Sequence, residues 1–192
     1  MLPPVSAAEI VARTQAAFKL FLTFDEKQLE RFGDEMSDAV KSFWAPILVL
    51  PLSLWITLMR DAGTVVDQAP LLPRLITELS AYAIDVVYWP LAMVMIADLL
   101  QKPESYARYI SAYNWTVIPI TVIATGLAAV FGVTDGTMGL PGVALMFWIL
   151  LFRIRLARKI FDLNVGVAVA LVAGDFFLGL LVSAMRAGVL VG

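Results

Sequence analysis

The chain has 192 residues, of which 60% are apolar and only 16% charged, whereas an ordinary soluble domain carries about a quarter of its residues as charges. Absence of both cysteine and histidine excludes disulfides, thiolate or imidazole metal sites, and Cys or His catalysis. The formal net charge of −2, from 14 basic and 16 acidic residues, offers no overall basic field for nucleic acid.

The first 42 residues form the only extended polar region and predict two amphipathic helices. Ser6 followed by Glu9 has the capping-box spacing, in which a hydroxyl accepts from a free backbone N–H and a carboxylate answers. Ile10, Ala17, Phe18, Phe21 and Leu22 then share an apolar face. A second such pair, Thr23 with Glu26, predicts a second helix whose Leu29, Phe32, Met36, Val40 and Phe43 recur every three or four residues. Glu9 interrupts the apolar run and no basic cluster opens the chain, so no signal peptide is expected.

Residues 43–192 read as a membrane domain. Stretches 42–59, 109–134 and 136–152 carry no charged residue, close to or beyond the roughly 20 residues that cross a bilayer's hydrocarbon core. Five spans are expected, at about 43–59, 79–101, 109–133, 137–157 and 163–187. Pro46 and Pro51 predict that the first is bent or partly re-entrant. The fold class is therefore all-α and polytopic: five transmembrane helices preceded by two amphipathic cytoplasmic helices.

Basic flanks resist translocation, so they set orientation. With the N-terminus inside, that side holds Arg13, Lys19, Lys27, Arg31, Lys41, Lys102, Arg108, Arg153, Arg155, Arg158 and Lys159, eleven in all, against Arg60, Arg74 and Arg186 outside. The loop around residues 134–136 contributes none. An integral protein of a bacterial inner membrane, N-terminus cytoplasmic and C-terminus opposite, is the expectation.

Ionisable side chains within spans are costly and invite functional readings. Asp175 lies about twelve residues, or roughly 18 Å, into the fifth span, near the midplane. Asn114, Thr121 and Thr125 share one face of the third span, and Thr121 is the expected partner of Asp175. Helix glue and a proton or ion site are both open for this set. Asp85, flanked by Tyr82 and Tyr88, is expected to bridge to Arg186 or meet water. Asp98 can pair with Lys102 at i+4 or with Arg108. Gly166, Ala170 and Gly174 form a small-xxx-small series that predicts close packing of span five inside the bundle or at a homodimer seam. The tract Arg153, Arg155, Arg158 and Lys159 predicts a basic collar that fixes topology and attracts anionic headgroups. Tryptophans and tyrosines near span ends predict an interfacial belt.

No GxxxxGK[ST], GxGxxG or GxSxG occurs, so no enzyme, cofactor or metal is called for. The five-span plan after a polar N-terminal region resembles the Yip family, whose eukaryotic members carry an acidic Leu-Tyr-Gly-Pro motif just before span one. Here that place reads Ser42, Phe43, Trp44, Ala45, Pro46, keeping an aromatic residue and a proline; the resemblance implies topology and transfers no site residue. The chain is also similar to small bacterial inner-membrane proteins, Ser111 to Trp115 with Tyr113 and Asn114 being its most distinctive run.

The leading expectation is a non-enzymatic scaffold or accessory protein whose residues 6–42 contact a protein partner or the membrane surface. Deleting residues 1–40 should then abolish association without preventing insertion. A small oligomeric transporter or channel using Asp175, and anionic-lipid handling by the collar, are the alternatives.

Overall fold

The computed structural model describes residues 2–63, 65–133 and 138–191. The basic-residue-free loop around 134–136 lies outside them. Helix α1 spans Ala7–Thr23. Ser6 caps it, its Oγ accepting from the Glu9 N–H at 3.2 Å, and Phe24 ends it in the left-handed region (φ 52°) with its N–H returned to the Leu20 carbonyl.

The expected second amphipathic helix is not one helix. Thr23 does not cap it: its hydroxyl donates back to the Lys19 carbonyl at 2.7 Å. Asp25 instead caps a 3-10 turn, Glu26–Phe32, by accepting from the Lys27 N–H. Gly33 then takes φ +68°, and a Cβ there would lie 2.1 Å from an Asp38 carboxylate oxygen, so both the backbone and the space demand glycine. Only after this break does a short α2, Met36–Lys41, lead toward the first span.

Among the described residues five long apolar helices follow: α3 Trp44–Asp61, α4 Leu71–Leu99, α5 Tyr106–Phe131, α6 Gly139–Phe161 and α7 Val165–Val191. Each is long and apolar enough to cross a membrane. Helix α3 is one helix of 18 residues, roughly 27 Å long, and does not re-enter. Pro46 falls in its first turn, where an N–H has no helical acceptor in any case. Its far end reaches the end of α7, where Asp61 meets Arg186. Outward faces are apolar, with Leu91, Met95, Leu140, Phe147, Phe177 and Leu181 all exposed. This architecture fits an integral membrane protein. One end of the bundle carries the N-terminal segment and the turns after α4 and α6; the opposite end carries the turn after α3, the end of α5, the start of α6 and the end of α7.

The N-terminal segment is a working part of the bundle. Helix α5 packs against α1, α2, α3, α4 and α6. Ala16, Ala17, Leu20, Phe21 and Phe32 are buried. Phe21 stands edge-on to Phe152 of α6 at 5.1 Å, while Trp148 donates its indole N–H to the Phe21 carbonyl at 3.1 Å. Arg13, also buried, staples three elements: its guanidinium reaches Asp38 at 2.5 Å and Glu9 at 2.8 Å, and donates to Ser111 of α5 at 3.3 Å. Phe21→Ala is therefore expected to cost about 3 kcal/mol, read as a lowered unfolding midpoint in detergent micelles. Removing residues 1–40 strips this packing and is expected to destabilise the membrane domain as well as any association.

Two other expectations change. Trp89 and Trp115 are fully buried, so they belong to the core and not to an interfacial belt. Gly166 and Ala170 are exposed; α7 packs instead through Ala168, Leu171, Val172 and Asp175, all buried. The β-carbon-poor stripe is thus not an internal seam.

Candidate functional site

Asp175 is the eleventh residue of α7, roughly 15 Å along it, and only 2% exposed. Four helices converge on it. Arg153 of α6 forms an ion pair with its Oδ2. Tyr88 of α4 donates to its Oδ1 at 3.1 Å, and the Tyr113 hydroxyl of α5 lies 3.2 and 3.1 Å from its two oxygens. The Arg153 guanidinium also stacks over the Tyr113 ring, 4.4 Å from the centroid, a geometry the ring quadrupole favours. A buried carboxylate is tolerated here because a cation and two hydroxyls satisfy both of its oxygens.

This arrangement corrects the sequence expectation twice. Thr121 is not the partner of Asp175: its carbonyl accepts from the Thr125 hydroxyl at 2.7 Å, so this pair serves the α5 backbone. Asn114 turns to the N-terminal segment, donating to Ser42 at 2.8 Å, and acts as a link between elements. Arg153 leaves the collar altogether and faces inward. Arg155, Arg158 and Lys159 stay exposed at the end of α6. Arg155 stacks over Phe24 at 4.4 Å, and Lys159 pairs with Glu26 at 2.7 Å.

Asp85 sits at the centre of α4 and is exposed. Its expected partner is engaged elsewhere, because Arg186 is held by Asp61 at 2.8 Å and by Glu78. Among the described residues no ion pair forms at Asp85. Two cavities meet at this carboxylate. One of about 110 Å³ runs between α3, α4 and α7 and is lined by Ser53, Thr57, Arg60, Tyr82, Ser183 and Arg186. The other, about 260 Å³, continues inward from Tyr82 past Tyr88, Tyr113 and Asn114 to Arg153. Sharing Tyr82 and Asp85, they form a groove that is polar at the end opposite the N-terminus and more apolar inward, where Pro46, Val86 and Val117 join the lining before Arg153. A separate, mostly apolar cavity of about 290 Å³ between α5, α6 and α7 also touches Arg153 and Asp175, but toward the N-terminal end the interior is packed: Trp89 donates to Tyr109 at 3.3 Å, Tyr109 lies 5.1 Å from Phe161, and all three are buried.

The groove mouth is braced by a network that sequence reasoning missed. Asp61, Arg74, Glu78 and Arg186 are all buried or nearly so, joining the ends of α3 and α7 to the start of α4. Arg74 also reaches outward to Asp67 at 2.6 Å. The Gly63 N–H, donating at 3.1 Å, and then Arg74 hold the Asp67 carboxyl below its usual 3.8. A folded-state value below the unfolded one contributes stability that is present above about pH 4 and fades as acid reaches the lower folded value. The i, i+4 spacing of Arg74 and Glu78 is a local signal for a pair, but the structure joins Arg74 to Asp61 and Asp67 and Glu78 to Arg186.

Near the N-terminal face, Lys102 turns away from Asp98, donating to the Phe161 carbonyl at 2.6 Å and lying 3.6 Å from Asp162. Arg108 pairs with Asp34 at 3.0 Å. Asp98 stays exposed.

The chain matches no protein-family model, no curated protein and no solved structure. The Yip-like reading therefore rests on the arrangement of a polar N-terminal region and five apolar helices alone.

Proposed function

We propose that the protein is a small membrane transporter or channel that admits a polar solute or ion into the groove between α3, α4 and α7. The carrying observation is Asp85. An ionisable side chain halfway along a membrane-spanning helix is too costly to face lipid, and this one lines two cavities, a polar one at the bundle end and a larger, mostly apolar one that reaches Arg153 of the buried ion pair. Water or solute in the groove is the environment that suits it. The excess of basic residues on the N-terminal face supports a cytoplasmic N-terminus in a bacterial inner membrane. On that reading the groove opens outward and is closed toward the cytoplasm by Trp89, Tyr109 and Phe161. Five helices suit assembly as a homo-oligomer, with the lipid bilayer as the surrounding partner.

The scaffold reading is the weaker one, because two of its apolar contact residues, Phe21 and Phe32, are occupied inside the bundle. Met36 remains exposed for a protein partner.

The natural absence of cysteine makes the test direct. Single cysteines at Ser53, Thr57 and Ser183 are expected to react with a membrane-impermeant thiosulfonate at least about tenfold faster than cysteines at the lipid-facing Leu91 or Phe177. In proteoliposomes carrying an internal pH dye, Asp85→Asn is expected to suppress proton movement driven by an imposed potential. Equally slow labelling at all five positions would remove the groove, and an unaltered flux in Asp85→Asn would remove Asp85 from the path.

A further inference from the structure

At the opposite end of the molecule from the groove mouth, two cavities of contrasting chemistry lie end to end on the outer surface of α6. The first, about 430 Å³, is apolar and is walled by Trp148, Leu151 and Ile154 with Phe24. The second, about 470 Å³, is charged and includes Lys159, Glu26 and Asp162. Phe24, Arg155 and Arg158 line both. From Trp148 to Lys159 the helix advances roughly 16 Å, so the apolar cavity sits at hydrocarbon depth and the charged one at the end of the span.

The geometry points to a binding site for an anionic phospholipid, with an acyl chain along Leu151 and Ile154 and the headgroup phosphate between Arg155 and Arg158. Charge complementarity selects this occupant. The two carboxylates in the charged cavity are already matched, Glu26 by Lys159 at 2.7 Å and Asp162 by Lys102 at 3.6 Å. Arg155 and Arg158 make no ion pair among the described residues. Stacking over Phe24 at 4.4 Å holds Arg155 by its face, which leaves the in-plane N–H groups of its guanidinium directed to an acceptor at the edge. A soluble phosphate would need the basic half only; the apolar half adjoining it calls for a chain. Phe24 is itself posted there by the left-handed turn that ends α1, so the site is built from two separate elements and is not merely a helix end.

The experiment compares the whole protein in mixed micelles containing dioleoylphosphatidylglycerol, dioleoylphosphatidylcholine or glycerol 3-phosphate. Native mass spectrometry counts retained lipid, and the unfolding temperature is followed in parallel. Retention of phosphatidylglycerol, with a raised unfolding temperature, is expected, whereas phosphatidylcholine and glycerol 3-phosphate give neither. Arg155→Gln with Arg158→Gln should weaken phosphatidylglycerol binding roughly thirtyfold, the usual worth of two near-surface basic contacts, while the unfolding temperature in phosphatidylcholine falls only by the small amount that loss of the Phe24 stacking contact brings. Leu151→Ser, at an exposed position, should weaken it independently and serves if the double variant folds poorly. Equal retention of the two lipids, undiminished phosphatidylglycerol binding in these variants, or the same shift from glycerol 3-phosphate would each overturn the assignment.

Discussion

Replacing Asp175 by Asn is expected to lower the unfolding free energy by about 3–5 kcal/mol, the usual cost of removing one partner from a buried ion pair. The loss comes from what is left behind. Arg153 would remain inside the bundle with its charge uncompensated, and the Tyr88 and Tyr113 hydroxyls would keep only a neutral amide. Arg153→Gln alone should cost a similar amount by stranding the carboxylate. The double variant Asp175→Asn with Arg153→Gln is expected to recover much of either loss, so the coupling in a double-mutant cycle should be favourable by about 2 kcal/mol or more. Reversible unfolding in mixed micelles measures all three, and additive losses would show that the pair does not act as a unit. Tyr113→Phe removes one donor and should cost only about 1 kcal/mol. Because Asp175→Asn weakens the fold, Asp85, with no ion pair to break, is the residue for testing transport.

Arg186→Met has the second large effect, about 3 kcal/mol. It leaves Asp61 and Glu78, 5% and 4% exposed, without their shared cation at the groove mouth. Arg74, 3.9 Å from Asp61, offers partial compensation, which places the expected loss at the lower end of the range. Adding Glu78→Gln to Arg186→Met should restore part of the loss. The measurement is again the unfolding midpoint, accompanied by cysteine labelling at Ser183. Faster labelling in Arg186→Met would report a loosened mouth, and an unchanged midpoint would show that the network carries no stability.

The five long helices were legible because hydropathy is a local property: an uncharged run of adequate length has few other solutions in a bilayer. Ser6 was legible for the same reason, since a cap acts over three residues. The second N-terminal helix was misread because its apolar spacing, Leu29, Phe32, Met36 and Val40, is correct while Gly33 interrupts the backbone that would carry it. Long-range pairing was the least accessible. Asp175 was visible as a costly residue, but a helical wheel chose Thr121 by depth, and only the packing of α6 on α7 turns Arg153 toward it. Arg153 stands five residues before Arg158, deep enough in its span to have been separated from the collar by the same 1.5 Å arithmetic. Arg186 was assigned to Asp85 by proximity to one end of the fifth span; the ends of α3 and α4, which supply Asp61 and Glu78, are nearer still.

The junction of Phe21 with Trp148 and Phe152 joins parts of the chain separated by 127 and 131 positions. During synthesis α1 leaves the ribosome long before α6 has been made, and chains grow at about 5–20 residues per second. Until then only the α5 part of its docking surface exists, and the aromatic contacts of Phe21 have no partner. The apolar face of α1 is then expected to rest at the headgroup layer, its contacts with α6 completed only after the fourth span has entered the bilayer. The first helix to be translated is among the last to reach its final place, and the nascent protein carries an exposed aromatic edge until the second hairpin of spans closes over it.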